Sequence, residues 1–276
     1  MKSDSRVHPR FTNILRTGRV SCSSPNIQNL PSRDKVYPLK NVYTTDPGYI
    51  LCATDYSFLE LVALAESCLT RFGESVMADI INAGVDPHRW FAGVRSKIID
   101  SKTDFCKDPK AVEEMNEFLK ANISKELRQT AKACNFGLPG GMGAKSFRRN
   151  CCEQGVIISL EEAEELRNTW IKTFKEMRFH MKPEKLTSAG GVGEQFGFGD
   201  EDDPDAAEID ASEKDRQMYR AVLINGMVRT RCSYNAAQNV QFQGLAAYGV
   251  KLAMWNLAMA GFLPRMRNMI HDLDAA

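Results

Sequence analysis

Apolar positions recur along this chain with more than one rhythm, and each rhythm predicts a different element. Tyr49-Ile50-Leu51-Cys52-Ala53-Thr54 is a short, nearly unbroken apolar run, which predicts a buried strand ending at Asp55. Directly after it, Leu59, Leu61, Val62, Leu64 and Ala65 predict a helix running to about Thr70. Helical spacing then dominates from Pro87 to about Met181. Ser124 is placed to open one helix, and Ser159 to open another with Glu162 completing a capping box. Leu166, Trp170, Phe174 and Met177 repeat at helical spacing and predict core.

Further along, Ala221-Val222-Leu223-Ile224 and Met227-Val228-Arg229-Thr230 flank Asn225-Gly226, a two-residue hairpin signal. A long helix is expected from about Gln238 to Ala260, closed by Gly261, and a short strand from Met266 to Ile270 leads to His271-Asp272. Two stretches lack periodicity. Residues 1–40 are rich in Ser, Asn, Pro and Arg, and residues 186–215 combine glycines with the acidic run Asp200-Glu201-Asp202-Asp203, which reads as a solvated loop rather than a metal site. Strands early and late with helices between them make an α+β chain. If the outer strands share one sheet, Asp55 and Asp272 meet at its edge.

Composition changes this picture little. The chain of 276 residues is 43% hydrophobic and 26% charged, with a net charge of +1, so any nucleic-acid surface must come from local clusters of Lys and Arg. The polar, basic start lacks the apolar stretch of a signal peptide, and no run is long enough to span a membrane, which predicts a cytoplasmic protein. Eight cysteines occur without a C-x-x-C pair, several inside apolar periodic runs, and are expected to be free buried thiols rather than zinc ligands.

Candidate chemistry concentrates in a few segments. Arg128, Lys132 and Phe136 stand four apart, so on a helix they form one stripe. Two cations and a ring on one face suit a nucleotide, with charges for the phosphates and a ring for the base. The same spacing also fits a solvated basic face with a core phenylalanine. Asp55 at a strand end is exposed to solvent and free to take a cation, and two such carboxylates could hold two Mg²⁺ ions for attack of a hydroxyl on a phosphate. A lone Asp there is equally a turn or helix cap. Asn239 and Gln243 stand one turn apart on the long helix.

Taken together, these segments resemble family A, the DNA polymerase I-like DNA polymerases. Arg128-x3-Lys132-x3-Phe136-Gly137 looks like the family's fingers helix, and Asp55-Tyr56-Ser57-Phe58-Leu59-Glu60-Leu61 matches its D-Y-S-x-x-E-L pattern. Gln243-Gly244-Leu245-Ala246-Ala247 resembles its Q-G-x-A-A helix, and His271-Asp272 the turn carrying its second catalytic aspartate. Thr17-Gly18-Arg19 through Pro25-Asn26-Ile27-Gln28-Asn29-Leu30-Pro31-Ser32-Arg33 resembles its T-G-R…P-N-x-Q-N-x-P-x-R segment, and Asp86-Pro87-His88 its D-x-H.

The resemblance implies a polymerase palm, an antiparallel sheet with helices, bearing a helical fingers insertion. Residues 1–84 would form the first part of the palm, 85–215 the fingers and 216–276 the truncated remainder of the palm, with thumb and exonuclease absent. It implies template-directed addition of dNTPs to a primer 3′-end with two Mg²⁺ ions. Asp55, Asp272 and the Tyr56 carbonyl would bind metal, and Arg128, Lys132, Phe136, Tyr56 and His88 the nucleotide, with Lys132 also a general acid toward pyrophosphate. Glu60 would be the steric gate against a ribose 2′-hydroxyl. Arg19, Gln28, Asn29, Arg33, Asn239, Gln243 and His271 would contact primer-template DNA. A thumb or exonuclease chain, or a processivity factor, would be a further partner. Competing expectations are an inactive nucleic-acid-binding fragment and a single-subunit RNA polymerase, which Glu60 disfavours.

Three departures stand out. Pro139-Gly140-Gly141 follows Leu138 where the family carries a tyrosine near the templating base, a feature similar to bacteriophage members, as are Cys232-Ser233-Tyr234-Asn235 and Phe242-Gln243-Gly244. Leu273 replaces a glutamate after the second aspartate, and the chain stops at Ala276, short of the family's C-terminal strand.

Overall fold

The computed structural model describes residues 7–13, 15, 17–30, 44, 47–50, 54–101, 108–182, 190–195 and 218–262. The chain divides into two compact units, Met1–Leu59 with Ala246–Ala276, and Glu60–Leu245.

In the first unit, β1 (Arg10–Thr12) pairs antiparallel with β2 (Ser21–Ser23), Phe11 lying opposite Cys22. The Gln28 side chain donates to the Val20 carbonyl at 3.3 Å, and its backbone N–H to Asn26 Oδ1 at 3.1 Å, which ties the segment after the hairpin back onto it. The strand expected over 49–54 is not seen where the chain is described. Tyr49 and Ile50 lie outside any strand, and Ile50 is 89% exposed. An unbroken apolar run is buried as a strand when partners cover both its faces. Gly48, at φ +84°, instead turns the chain just before these two residues. Leu51, Cys52 and Ala53 lie outside the described residues, and Asp55 sits in exposed backbone that belongs to no strand.

Glu60–Leu245 is mostly helical. Its helix α1 (Leu59–Phe72) begins where the apolar spacing predicts and buries Leu61, Leu64, Ala65 and Cys68. There follow α2 (Val76–Asn82), α3 (Pro87–Arg95), α4 (Pro109–Asn122), α5 (Lys125–Gly137), a 3₁₀ turn (Leu138–Gly140), α6 (Ala144–Glu153), α7 (Leu160–Thr173) and α8 (Met177–His180). Side chains that accept from N–H groups of the first turn set the starts of several helices. Ser75, Asp86, Asp108 and Ser124 do this for α2, α3, α4 and α5, and α7 carries the full capping box between Ser159 and Glu162. Phe174 is the centre of the helical core, with ring centroids 5.4 Å from Trp170, 5.9 Å from Phe91 and 6.0 Å from Trp90. Leu166, Trp170, Phe174 and Met177 are all buried, as their spacing predicts.

A three-stranded antiparallel sheet completes this unit, β4 (Met218–Val222) lying between β3 (Gly191–Gln195) and β5 (Val228–Cys232). Val192, Tyr219, Ala221, Leu223 and Cys232 pack on Ala237 and Val240 of α9 (Tyr234–Met259). The β4–β5 hairpin forms as expected, but its turn has three residues rather than two. Gly226 N–H donates to the Leu223 carbonyl and Leu223 N–H to that of Met227, both at 2.9 Å. Gly226 carries φ +80°, and Asn225 spends its side chain accepting from Met227 N–H at 3.2 Å. A two-residue type I′ turn would need positive φ at both central residues, and here the glycine alone takes it.

Helix α9 starts earlier than expected because Ser233 caps it, its carbonyl accepting from Ala237 N–H at 2.9 Å. It ends as expected. Gly261, at φ +76°, donates to the Ala258 carbonyl and Phe262 to that of Leu257, the paired bonds of a Schellman motif. Cys22, Cys68, Cys134, Cys151 and Cys232 are free and buried, while Cys152 is exposed. Burial pushes the Cys68 and Cys134 thiols well up, and that of Cys151 to about 11, so all three stay protonated and behave as small apolar groups. Among the described residues no helix is long and apolar enough to cross a membrane.

Candidate nucleotide-binding site

The expected stripe on α5 is real, and the fold joins it to the start of α3. Ala131, Ala133, Cys134 and Asn135 turn into the core, which leaves Arg128, Lys132 and Phe136 half-buried along one side of the helix. Asp86 is the anchor. Its Oδ1 caps α3 by accepting from the backbone of His88 at 2.8 Å and Arg89 at 3.1 Å, while Oδ2 accepts from Arg128 Nε at 2.9 Å. The turn that carries Asp86 is braced by Asn116 of α4, whose Oδ1 accepts from Asp86 N–H and whose Nδ2 donates to the Gly84 carbonyl. Burial alone would raise the Asp86 carboxyl. The Arg89 N–H and the Arg128 guanidinium outweigh it and hold the group below the usual carboxylate range.

One turn up the stripe, the Lys132 ammonium lies 5.6 Å from the Phe136 ring centroid, within cation–π range. That ring in turn lies 5.4 Å from the imidazole of His88, tilted by 48°. Arg128, Lys132, Phe136, Asp86 and His88 therefore form one cluster of cations, rings and an orienting carboxylate. Sequence reasoning placed His88 near this chemistry but gave Asp86 no role of its own. The Asp-Pro start of a helix was the available signal, because Pro at the first helical position goes with an acceptor just before it.

His88 is buried behind the stripe. Its Nδ1 lies 2.9 Å from Asn135 Nδ2, and Asn135 Oδ1 accepts from Trp170 Nε1 at 2.8 Å. Burial, with Arg128 and Lys132 adding to it against the pull of Asp86, lowers the His88 pKa to about 3. His180 on α8 is likewise lowered to about 3, by burial first and then by Arg71, with the nearby Pro139 carbonyl pulling the other way. These shifts set an acid-stability profile. An unfolded histidine takes up its proton near 6.5 while these native rings remain neutral to about 3, so in that window the unfolded chain binds more protons and stability falls as pH drops. Glu176 opposes them. Burial raises its carboxyl despite bonds from Met77 N–H and Ser75 Oγ, so its contribution is present at low pH and shrinks as pH rises. With two histidines against one glutamate, the urea midpoint should be lower at pH 5 than at pH 7. His180→Leu should flatten that slope, and equal midpoints at both pH values would contradict the assignment.

The Pro139-Gly140-Gly141 departure also has a physical cause. A Cβ on Gly140 would stand 2.5 Å from Asn239 Oδ1 and 3.1 Å from its Cγ, so the Asn239 amide already occupies the space a side chain would need. A Cβ on Gly141 would collide with the Tyr234 ring, whose hydroxyl donates to the Met181 carbonyl. Gly140→Ala should therefore cost about 1–3 kcal/mol by overpacking. Adding Asn239→Ala should return about 1 kcal/mol of that in a double-mutant cycle followed by denaturant unfolding. Purely additive effects would show that the two side-chain positions do not compete.

The other expected residues are placed as follows. Glu60 is half-buried in the first turn of α1, and Gln243 half-buried on α9 one turn beyond Asn239. Asp55 and Tyr56 are exposed, in the other unit, as are Asn29 beside the β1–β2 hairpin and the half-buried Arg19 and Gln28. Arg33, His271, Asp272 and Leu273 lie outside the described residues, as do the acidic run at 200–203 and the strand expected at 266–270. Among the described residues no three His, Cys, Asp or Glu side chains converge as a metal site.

The family model of DNA polymerase family A matches residues 1–272. The chain belongs to DNA polymerase family A. It is 29% identical to DNA polymerase I of Aquifex aeolicus, covering 98% of this chain and 38% of that protein. DNA polymerase I of Synechocystis is 28% identical over 97% of this chain and 25% of its own length. The thermostable DNA polymerase I of Thermus thermophilus is 28% identical over 96% of this chain and 26% of its own. The chain thus spans well under half the length of these relatives. Among solved structures it resembles the POL domain of Pol1 from M. smegmatis in complex with DNA primer-template and dNTP. The TM-score is 0.61 at 23% identity, covering 96% of this chain and 40% of that one. That likeness shows the fold, an α+β family A polymerase domain.

Proposed function

We propose that this chain is the palm and fingers of a template-directed DNA polymerase, adding dNTPs to a primer 3′-end. The observation that carries the reading is the cluster of Arg128, Lys132 and Phe136 on α5 with Asp86 and His88 at the start of α3, two cations and two rings on two helices whose starts are fixed by their caps. Asp86 holds the Arg128 guanidinium through Nε, which would leave its two terminal nitrogens for phosphate oxygens. Lys132 adds a second cation and, as a general acid, would give a proton to the departing pyrophosphate. Phe136 would pack on the sugar and base of the incoming nucleotide, and Glu60 would crowd a 2′-hydroxyl. Arg19, Gln28, Asn29, Arg33, Asn239, Gln243 and His271 would read the primer-template duplex, and residues 85–215 would be the fingers.

The donor set fits magnesium. Asp55 is an exposed carboxylate, and with the Tyr56 carbonyl and Asp272 it offers the hard oxygen ligands this ion prefers. When bound there, two Mg²⁺ ions would supply activation of the 3′-hydroxyl and neutralisation of charge on the pyrophosphate. The deciding experiment is primer extension by this chain, with dNTPs and separately with NTPs, in the presence and absence of Mg²⁺. Mg²⁺-dependent extension with dNTPs supports the proposal, and extension with NTPs alone points to an RNA polymerase. Template binding without extension points to an inactive fragment.

A further inference from the structure

We infer that the exposed face of residues 175–182 is a surface for single-stranded DNA, which sets its phosphates on Lys175, Arg178 and Lys182 and a base on Phe179. The inference goes beyond the polymerase reading and does not depend on nucleotide transfer. None of these residues belongs to the sets proposed to bind nucleotide or to read the duplex.

The backbone N–H groups of Arg178, His180, Met181 and Lys182 donate to the carbonyls of Lys175, Glu176, Met177 and Phe179, so α8 and its flanks make about two helical turns. On such a segment positions i, i+3, i+4 and i+7 share a face. Lys175, Arg178, Phe179 and Lys182 hold those positions, and all four are exposed. Glu176, Met177 and His180 lie on the other side and are buried. That buried side fixes the segment in place. Glu176 Oε1 accepts from Ser75 Oγ at 2.9 Å and from the Met77 N–H at 3.0 Å. The His180 ring lies 6.4 Å from that of Phe242, and the Met181 carbonyl accepts from the Tyr234 hydroxyl. The one carboxylate of the segment is thereby turned into the core, and its charged groups left to solvent are all cations.

Among the described residues none of these three cations has an ion pair. Neighbours at this spacing stand about 5–6 Å apart at Cβ, where like charges repel, and a polyanion laid along the face removes that cost. Phe179 is 46% exposed, and its ring rests 5.7 Å from that of Phe72, over which the Arg71 guanidinium lies at 4.6 Å. An exposed ring flanked by cations matches what a single strand offers, phosphates for the charges and an unpaired base for the ring. The bases of a duplex are already stacked on one another, so a duplex can use the charges and not the ring. An acidic peptide brings carboxylates but no base to stack. For a member of DNA polymerase family A, single-stranded DNA is the polyanion with both parts.

The test is fluorescence anisotropy of the full chain with labelled oligo-dT, and separately with a blunt duplex, over a salt series. The triple variant Lys175→Ala, Arg178→Ala, Lys182→Ala should lower the slope of log affinity against log salt for oligo-dT by about 0.7 per cation, roughly 2 in all. Lys110→Ala with Lys120→Ala, exposed cations of α4, should leave that slope at the wild-type value. Phe179→Leu keeps an apolar contact for Phe72 but has no ring, and should weaken oligo-dT binding about 5- to 150-fold, the loss of one stacked base. Its duplex binding should not change, and Phe179→Tyr should bind oligo-dT as the wild type does. A wild-type salt slope in the triple variant overturns the inference, as does undiminished oligo-dT affinity in Phe179→Leu or an equal loss for duplex and oligo-dT. Poly-glutamate binding that the triple variant loses while it keeps oligo-dT binding would mark an acidic-protein surface and overturn it too. A chain that binds oligo-dT through this face but extends no primer refutes the polymerase reading and leaves this one standing.

Discussion

Lys132→Ala should lower kcat for nucleotide incorporation by about 10²- to 10⁴-fold even at saturating dNTP, the range a positioned general acid contributes. Lys132 sits mid-helix on α5, a helix locked by the Ser124 cap and by the burial of Ala131, Ala133, Cys134 and Asn135. The aliphatic stem runs to an ammonium 5.6 Å from the Phe136 centroid, on the same face as Arg128. A group used only to bind triphosphate would raise KM when removed and spare kcat, whereas a group that protonates the leaving pyrophosphate lowers kcat at saturation. Lys132→Arg separates these roles. It keeps a cation for the phosphates, but a guanidinium does not give up its proton, so KM should stay near the wild-type value while kcat remains depressed. Single-turnover incorporation over a dNTP series reads both constants. If Lys132→Ala saturates at the wild-type rate, the residue binds nucleotide and transfers no proton.

Glu60→Ala should collapse sugar discrimination by roughly a hundredfold, acting on NTP far more than on dNTP. Glu60 stands in the first turn of α1, and Leu61, Leu64, Ala65 and Cys68 of that helix are buried, so its backbone cannot easily yield to an added hydroxyl. Admitting a ribose would demand both steric displacement and burial of an unpaired hydroxyl, together a few kcal/mol. The measurement is kcat/KM for dNTP and for the matching NTP, in the wild type and in Glu60→Ala. A ratio that does not change, or a wild-type protein that accepts both sugars equally, would remove the gate and return the RNA polymerase reading.

Much of the helical part of this molecule was legible in the sequence. Ser124 and the Ser159–Glu162 box mark their helix starts, the Leu166–Met177 spacing marks the core face, and Gly261 marks the end of the long helix. These signals are local. A cap bonds within its own first turn, and apolar spacing reports the face of one helix, so neither depends on the rest of the chain. Of the apolar run from Tyr49 to Thr54, the described residues Tyr49, Ile50 and Thr54 lie outside any strand, because a strand needs partners and pairing is a property of other segments. Asn225-Gly226 correctly placed a hairpin, yet the choice between two-residue and three-residue turns was decided by where positive φ could be carried.

For the site, the order of residues was sufficient to put Arg128, Lys132 and Phe136 on one stripe, because a helix makes i and i+4 neighbours whatever surrounds it. Three features came from tertiary structure alone. Asp86, far back in the chain, meets Arg128 at 2.9 Å; Trp170, which periodicity reads as a core ring, spends its N–H on Asn135; and Asn239 fills the space beside Gly140. Each joins groups on different elements, and each depends on directed polar atoms or close approach that apolar patterning does not encode. The sequence by itself determined which residues line the helix face. The packing of α3, α5 and α7 decided which carboxylate holds the arginine and which amide lies against His88, since buried donors and acceptors must find partners across helices.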